Sequence, residues 1–286
     1  MSDVSVVGTG TMGSALVEAL AASGAKVTVW NRTRAKAEEL SGPRVHVAES
    51  VAEALTSSPL AIMAVSDQEL GRTLVESANP DLDGRVVAST SFVTPDQAQA
   101  FGNAVAKAGG AYLDLEIAAF PSQVRSGDGV FLVSGQLAAY EAHRERFERI
   151  GRATYVNDAP AAAYTSGMAI QAAFFPMAVG LLQGLRIAEL QELSPDWFKK
   201  AIFELYPFHI ERLLDRVTAS AESAASEVEA SVDVMVAGMA EYAEGLRDMG
   251  LDSGMFDALH RLFAAASEAG HGEADWTCIA EHSATR

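Results

Sequence analysis

The chain has 286 residues, of which 49% are hydrophobic and 21% are charged. This composition is typical of globular proteins, and the length is sufficient for two domains. The net charge of −17 disfavours nucleic acid and anionic membrane as partners, because both would repel an acidic protein. The lone cysteine, Cys278, cannot form an internal disulfide, and an apolar strand begins at Val4 with no signal peptide before it. We therefore expect a cytoplasmic protein, and we expect no metal site.

Short apolar runs alternate with helical stretches over residues 1–160. Strands are predicted at residues 4–7, 26–30, 60–65, 85–88, 111–115 and 130–134. Helices are predicted between them at residues 14–23, 34–40 and 95–108. This alternation is typical of crossover units and a parallel sheet, so residues 1–160 are predicted to form an α/β domain.

The second half of the chain has a different pattern. From residue 161 onward Ala, Leu, Met and Glu dominate and no strand-type alternation persists, so residues 161–286 are predicted to be all helix. A long interdomain helix is expected at about 161–188, followed by helices at 196–220, 225–249 and 255–269. The first of these is nearly uncharged, but Gln171, Pro176 and Gln183 interrupt it and no polybasic segment flanks it. A helix buried inside protein explains its composition better than a membrane span.

A glycine-rich turn follows the first strand and opens the first helix. Its residues are Gly8, Thr9, Gly10, Thr11, Met12 and Gly13. The G-x-G-x-x-G pattern in this context is the fingerprint of a dinucleotide-binding Rossmann domain. Gly8 permits the tight turn, Gly10 lets the backbone approach the pyrophosphate, and Gly13 allows close packing of helix on strand. The free N–H groups at the helix N-terminus would bind the phosphates.

The residues after the second strand distinguish NADPH from NADH. An enzyme that uses NADH places Asp or Glu there to accept from the ribose 2′-hydroxyl. This chain has Asn31, Arg32, Thr33 and Arg34 instead, with Lys36 close by. The planar guanidinium of an arginine can bind a 2′-phosphate through two hydrogen bonds, and Asn31 and Thr33 can donate further hydrogen bonds to it. NADPH is therefore the predicted cofactor.

Further cofactor contacts are expected where the strands end, because open α/β sheets bind ligands at the carboxyl edge of their strands. Val65 ends the third predicted strand, Ser66 follows it, and Ser89 follows the fourth. These three residues are predicted to line the path of the ribose and the nicotinamide.

Several segments resemble the NADPH-dependent imine reductases within the β-hydroxyacid dehydrogenase superfamily. The segments are the turn at residues 8–13, W-N-R-T at 30–33, T-S…T-P-D at 90–96, Y-L-D…F-P-S-Q at 112–123 and G-H-G-E at 270–273. The resemblance spans nearly the whole chain. It implies an N-terminal Rossmann domain joined by a long interdomain helix to an all-α C-terminal domain. It further implies an interlocked homodimer with shared active sites and a small imine or iminium as the substrate.

Two departures separate the chain from the hydroxyacid dehydrogenases of that superfamily. Those enzymes use a lysine on the interdomain helix, and the matching position here is Thr165 or its neighbour Tyr164. They also bind a substrate carboxylate with a polar S-G-G turn, which corresponds here to Ala118, Ala119 and Phe120. An apolar wall suits an uncharged or cationic substrate. A hydroxyacid dehydrogenase and a catalytically silent NADPH-binding protein remain as alternatives.

The proton donor for imine reduction is left open among three hypotheses. The favoured one is a substrate that arrives as a charged iminium, so that Thr165 only orients it and no acid is needed. The second makes Tyr164 the donor, and the third uses a residue of the helical domain such as Tyr206 or His209. Glu116 could supply a negative field for a cation. The expected substrate pocket consists of Glu116, Ala118, Phe120, Met168 and Met239, with Phe174 and Phe175 as further apolar candidates.

Overall fold

The computed structural model describes residues 2–218 and 228–282. By the density of internal contacts the chain forms two compact units, Met1–Leu181 and Leu182–Arg286. The division falls inside the long helix, because the first part of that helix belongs with the sheet. The domain boundary at residue 160 stays a prediction.

The first unit contains one eight-stranded sheet with the order β3-β2-β1-β4-β5-β6-β7-β8. The strands are β1 Val4–Val7, β2 Val27–Trp30, β3 Val45–Val47, β4 Leu60–Met63, β5 Val86–Ser89, β6 Ala111–Ile117, β7 Gly129–Gly135 and β8 Gly151–Tyr155. The connecting helices are α1 Thr11–Ala22, α2 Arg34–Glu38, α3 Val51–Thr56, α4 Gln68–Ala78, α5 Pro95–Lys107, α6 Pro121–Arg125 and α7 Leu137–Glu148. The order 3-2-1-4-5-6 at the start of the sheet is that of a Rossmann domain, as predicted.

Two features of this sheet differ from the prediction. The edge strands β3 and β8 were not predicted, since each is short and only partly buried and neither has a continuous apolar run. Strand β7 runs antiparallel to β6, so the sheet is not wholly parallel. The segment between β6 and β7 holds only the short helix α6, which is less than a parallel crossover usually needs.

Both faces of the sheet are covered by helices. On one face Leu16 and Leu20 of α1 pack against Val4 and Val6 of β1, and all four side chains are excluded from solvent. On the other face Phe101 of α5 is buried with residues of α3, α4, β4 and β5. Each large side chain buried in this way stabilises the fold by about 1.5–3 kcal/mol. The resulting rigid layer fixes the carboxyl ends of the strands, where the site lies.

The long helix α8, Ala162–Leu190, begins in the sheet unit. It contains Pro176 and runs for 29 residues. Among the described residues it is the one helix that meets the length and hydropathy requirements of a membrane span, and that stretch is unburied within the chain. A helix that packs against a second protein chain has the same composition, so this finding alone does not indicate a membrane.

The second unit is helical throughout its described part. Its elements are α9 Pro195–Thr218, α10 Val232–Asp248, α11 Gly254–Ala266, a π-turn Ser267–His271, a 3₁₀ turn Trp276–Cys278 and α12 Ile279–His282. The predicted helices at 196–220 and 225–249 extend over residues 219–220 and 225–227, which lie outside the described residues. The helix predicted over 255–269 ends at Ala266, because the chain passes into the π-turn and Gly270 takes a φ of +94°. Helices α10 and α11 pack through a small apolar core.

Candidate cofactor site and active site

The glycine-rich turn has the geometry that its spacing predicts. Gly8 adopts a φ of +103°, and a Cβ there would collide with the carbonyl oxygen of Ala64. A Cβ on Gly13 would collide with the carbonyl oxygen of Gly8, whereas a Cβ on Gly10 would meet no atom within 4 Å. Helix α1 begins at Thr11 with no side chain capping its first amides. The helix N-terminus is therefore available to an anion, as a bound pyrophosphate requires.

Asn31 braces this turn from the end of β2. Its Oδ1 accepts the Thr9 N–H at 3.1 Å, and its Nδ2 donates to the Thr33 carbonyl at 3.0 Å. Asn31 lies in the wall of the cavity, but its amide is engaged within the protein. Its role is to position the two phosphate-binding segments relative to each other.

The cations after β2 fall into two groups. Arg34 is held by Glu38 at 2.8 Å and by Glu49 at 2.7 Å. Arg32 and Lys36 form no ion pair with any described residue, and both line the cavity. The positive charge available to a 2′-phosphate is therefore that of Arg32 and Lys36.

A cavity of about 1100 Å³ lies within the sheet unit and brings most of the predicted site residues together. Those in its wall are Gly8, Thr9, Gly10, Thr11, Met12, Gly13, Asn31, Arg32, Thr33, Lys36, Val65, Ser66, Glu116, Tyr164 and Met168. Residues that were not predicted include Trp30, Leu70, Ser91, Phe92 and Gln171. Leu70 and Gln171 lie on helices, where their spacing gave no signal distinct from ordinary packing. Trp30, Ser91 and Phe92 lie at or just after strand ends, where the rule that selected Val65 and Ser66 could have found them. The volume suits a dinucleotide with a small substrate beside it.

Five predicted site residues lie elsewhere, as does the further candidate Phe174, whereas Phe175 lines the cavity. Ser89 is wholly buried, because its side chain enters the interior of the sheet unit instead of the cavity. Ala118 and Phe120 are also absent from the cavity wall; the N–H of Phe120 donates to Gln123 Oε1 at 2.8 Å and opens α6. Met239 is buried in the apolar core between α10 and α11, which is the usual place for a methionine with helical spacing.

Thr165 is the fifth residue outside the cavity wall within this chain. Its hydroxyl donates to the carbonyl oxygens of Ala161 at 3.0 Å and Ala162 at 3.2 Å. Successive helical residues differ by about 100° around the axis, and Tyr164 is the one of the pair that faces the cavity. The Tyr164 ring meets Phe92 edge-to-face at a centroid distance of 5.7 Å.

The start of α8 is anchored to the sheet by two polar side chains. The N–H of Ala163 donates to Ser134 Oγ at 2.9 Å, and the N–H of Tyr164 donates to Asp114 Oδ2 at 3.1 Å. Asp114 is 2% exposed. Burial raises the pKa of its carboxyl to about 6, although hydrogen bonds from Tyr164 and Ser134 act in the opposite direction. These bonds satisfy amides at the helix start that have no partner within the helix.

Glu116 lies two residues further along the same face of β6 and lines the cavity. Burial, followed by the charge of Asp114, raises its pKa to about 7. The side chain packs against Gly167 of α8, where a Cβ would lie 2.8 Å from both the carboxyl carbon and Oε1 and would collide with Cγ. The described wall of the cavity contains no other carboxylate.

The fold and the site together define an oxidoreductase with a Rossmann domain that binds a nicotinamide dinucleotide. Residues 3–158 match the family described as the NAD binding domain of 6-phosphogluconate dehydrogenase. Residues 158–285 match the NADPH-dependent reductive aminase-like C-terminal domain. The chain belongs to the NADPH-dependent imine reductase family of the 6-phosphogluconate dehydrogenase-like superfamily.

Individual relatives cover almost the whole chain. The NADPH-dependent reductive aminase of Aspergillus oryzae is 22% identical over 288 residues, which cover 98% of this chain and 96% of the relative. An imine reductase from Pseudomonas sp. has 27% identity and a TM-score of 0.88, with 99% of each chain covered. An imine reductase from Myxococcus stipitatus in complex with NADP⁺ has 25% identity and a TM-score of 0.82, covering 98% of this chain and 99% of its own. The predicted family, fold class and cofactor, NADPH, are confirmed.

Proposed function

We propose that this member of the family reduces iminium cations to amines, with NADPH as the hydride source. The observation that carries the proposal is the charge distribution of the cavity wall. Arg32 and Lys36 follow β2, whereas Glu116 lies on β6, which is separated from β2 in the sheet by β1, β4 and β5. The cations suit a 2′-phosphate, and the carboxyl group suits a cationic substrate.

The residues of the chain have the chemistry that the cofactor requires. The amides at the start of α1 would bind the pyrophosphate, and Arg32, Lys36 and the Thr33 hydroxyl would bind the 2′-phosphate. Val65 and Ser66, after β4, would then line the ribose and nicotinamide. When bound, NADPH supplies a hydride to an electrophilic carbon.

Glu116 favours a positively charged substrate over a negatively charged one. Two unit charges 4 Å apart interact by about 4 kcal/mol at an effective dielectric of 20. A carboxylate at Glu116 would stabilise an iminium nitrogen and repel the carboxylate of a hydroxy acid by similar amounts. Because Glu116 attracts the one substrate and repels the other, it favours C=N reduction over the hydroxyacid dehydrogenase alternative.

Thr165 supplies no proton in this proposal. Its hydroxyl is engaged with the backbone of its own helix, and an alcohol is too weak an acid to act near neutral pH. A substrate that is already charged needs no donor, so its reduction requires only binding, orientation and a favourable field.

The direct test is oxidation of NADPH in the presence of an N-alkylated cyclic iminium, followed by absorbance. We expect turnover of the iminium and no reduction of NADP⁺ with 3-hydroxy acids. The reverse preference would establish the hydroxyacid dehydrogenase alternative. Tight NADPH binding without turnover of any imine or iminium would identify a silent binding protein.

We further propose that the protein is a homodimer. Large apolar side chains along α8 and α9 are exposed in the single chain, and Leu182 and Phe203 are each 70% exposed. No residue of α9 is buried. Exposed apolar area of this extent marks an interaction surface, and a second copy presents matching apolar helices. Light scattering should give about twice the chain mass of 30.1 kDa; a monomer at micromolar concentration would contradict the proposal.

A further inference from the structure

Glu116 occupies a position that its local sequence does not explain. It is the last residue but one of β6, and it lines the cavity together with Tyr164 and Met168. The Glu116 side chain occupies space that is free because residue 167 is a glycine. The Cβ of any other residue at position 167 would collide with it. No arginine or lysine among the described residues pairs with it. An unpaired, half-buried carboxyl group in a ligand cavity is a candidate for a functional site.

We propose that Glu116 is the proton donor for neutral imines, an inference that rests on the C=N reduction proposed above. The Glu116 O–H bond breaks as the imine nitrogen lone pair forms an N–H bond, which leaves a carboxylate beside an iminium. When the hydride reaches the carbon, the π electrons of the C=N bond become the lone pair of the amine. One proton and one hydride are consumed, NADP⁺ is formed, and solvent reprotonates the carboxylate.

The surroundings of Glu116 favour its neutral form before substrate binds. On its own strand Asp114 adds negative charge, and β7 places the apolar Leu132 opposite it in the sheet register. Helix α8 contributes Gly167, which packs against the Glu116 side chain, and Tyr164, which lines the same cavity. Burial and the Asp114 charge raise the pKa of Glu116 to about 7. At neutral pH both protonation states are therefore populated.

One residue then serves two kinds of substrate. A neutral imine requires the protonated carboxyl, and a permanently charged iminium requires the carboxylate. In both cases the hydride is transferred to an iminium cation that lies beside the Glu116 carboxylate. The pH profiles for the two substrates should therefore run in opposite directions through a common pKa.

The experiment compares two substrates in the full-length protein with NADPH. One is an imine of low basicity that stays neutral between pH 6 and 9, and the other is its N-methylated iminium. In the native protein we expect kcat/KM for the imine to fall about tenfold per pH unit above about pH 7. For the iminium we expect kcat/KM to rise through the same pH and then level off.

Glu116→Gln is the decisive variant, and Glu141→Gln, an exposed residue of α7, is its matched control. We expect Glu116→Gln to lose about 10²–10⁴-fold in kcat on the imine and to lose the pH dependence for both substrates. Glu141→Gln should retain both profiles. A quaternary ammonium ligand should bind more tightly above pH 7 to the native protein, and equally at all pH values to Glu116→Gln.

Each outcome separates the proposals. If Glu116→Gln turns over the imine with the native pH profile, or if Tyr164→Phe abolishes that profile, Glu116 is not the donor, while C=N reduction stands. If the native protein turns over neither substrate, the proposed function fails. In that case pH-independent binding of the ammonium ligand would also exclude a titrating carboxyl at Glu116.

Discussion

Substitution of Arg32 by alanine should weaken binding of NADPH and leave binding of NADH nearly unchanged. Arg32 lines the cavity and is exposed, with no ion pair to any described residue. Its guanidinium is therefore free to bind the 2′-phosphate, which NADH lacks. Arg34, two residues further on, is held by Glu38 and Glu49 and provides an internal control.

The expected magnitude follows from the type of contact. Hydrogen bonds to charged groups contribute about 1.5–3 kcal/mol, and an exposed contact with solvent access falls at the lower end of this range. Each 1.4 kcal/mol corresponds to about tenfold in Kd. We therefore expect Arg32→Ala to raise the Kd of NADPH about tenfold and the Kd of NADH less than twofold. Arg34→Ala should change both by less than about twofold.

Fluorescence titration of each variant with both cofactors, at low and high salt, measures these changes. The difference between the two cofactors should shrink as salt increases, because screening weakens contacts between exposed charges. Equal losses for NADPH and NADH in Arg32→Ala would refute the phosphate role. A loss in Arg34→Ala as large as that in Arg32→Ala would refute the distinction between free and paired cations.

Three further substitutions test the site. Gly13→Ala should lower the thermal midpoint and abolish NADPH binding, since its Cβ would collide with Gly8; an unchanged melting curve would contradict the packing argument. Burial raises the Asp114 pKa to about 6, so its ionisation destabilises the folded state as pH rises from about 4 to 6. Asp114→Asn should therefore gain up to about 3 kcal/mol relative to the native protein between pH 4 and pH 7 in urea unfolding, whereas a pH-independent difference would exclude this burial effect. Thr165→Ala should keep kcat on a charged iminium within about threefold, because the Thr165 hydroxyl forms hydrogen bonds only within its own helix. A much larger loss of kcat in a correctly folded variant would show that Thr165 takes part in the reaction.

The parts of the fold and site that sequence reasoning predicted well are those specified over short distances. The glycine turn and Arg32 are read from residues within one strand–turn–helix unit, and the structure places both in one cavity. The edge strand β8 was missed because it lacks a continuous apolar run. Antiparallel pairing of β7 depends on the length of a connection rather than on the composition of the strand.

The catalytic side of the cavity could be predicted less completely. Only one of Tyr164 and Thr165 can face the cavity, because neighbouring helical residues point about 100° apart. Which of them does so depends on the rotation of α8 about its axis. That rotation is fixed by the hydrogen bonds that Asp114 and Ser134 accept at the start of the helix. Glu116 was predicted as a pocket residue, but its raised pKa depends on burial that local sequence does not reveal.

The Asn31 brace has a consequence for changing the cofactor preference of this protein. Its side chain connects the pyrophosphate turn, through Thr9, to the 2′-phosphate loop, through Thr33. An acidic residue introduced at position 31 to favour NADH would keep the acceptor for the Thr9 amide but lose the donor to Thr33. Specificity and turn geometry are therefore coupled, so a successful redesign has to supply a new donor to the Thr33 carbonyl together with the new acid.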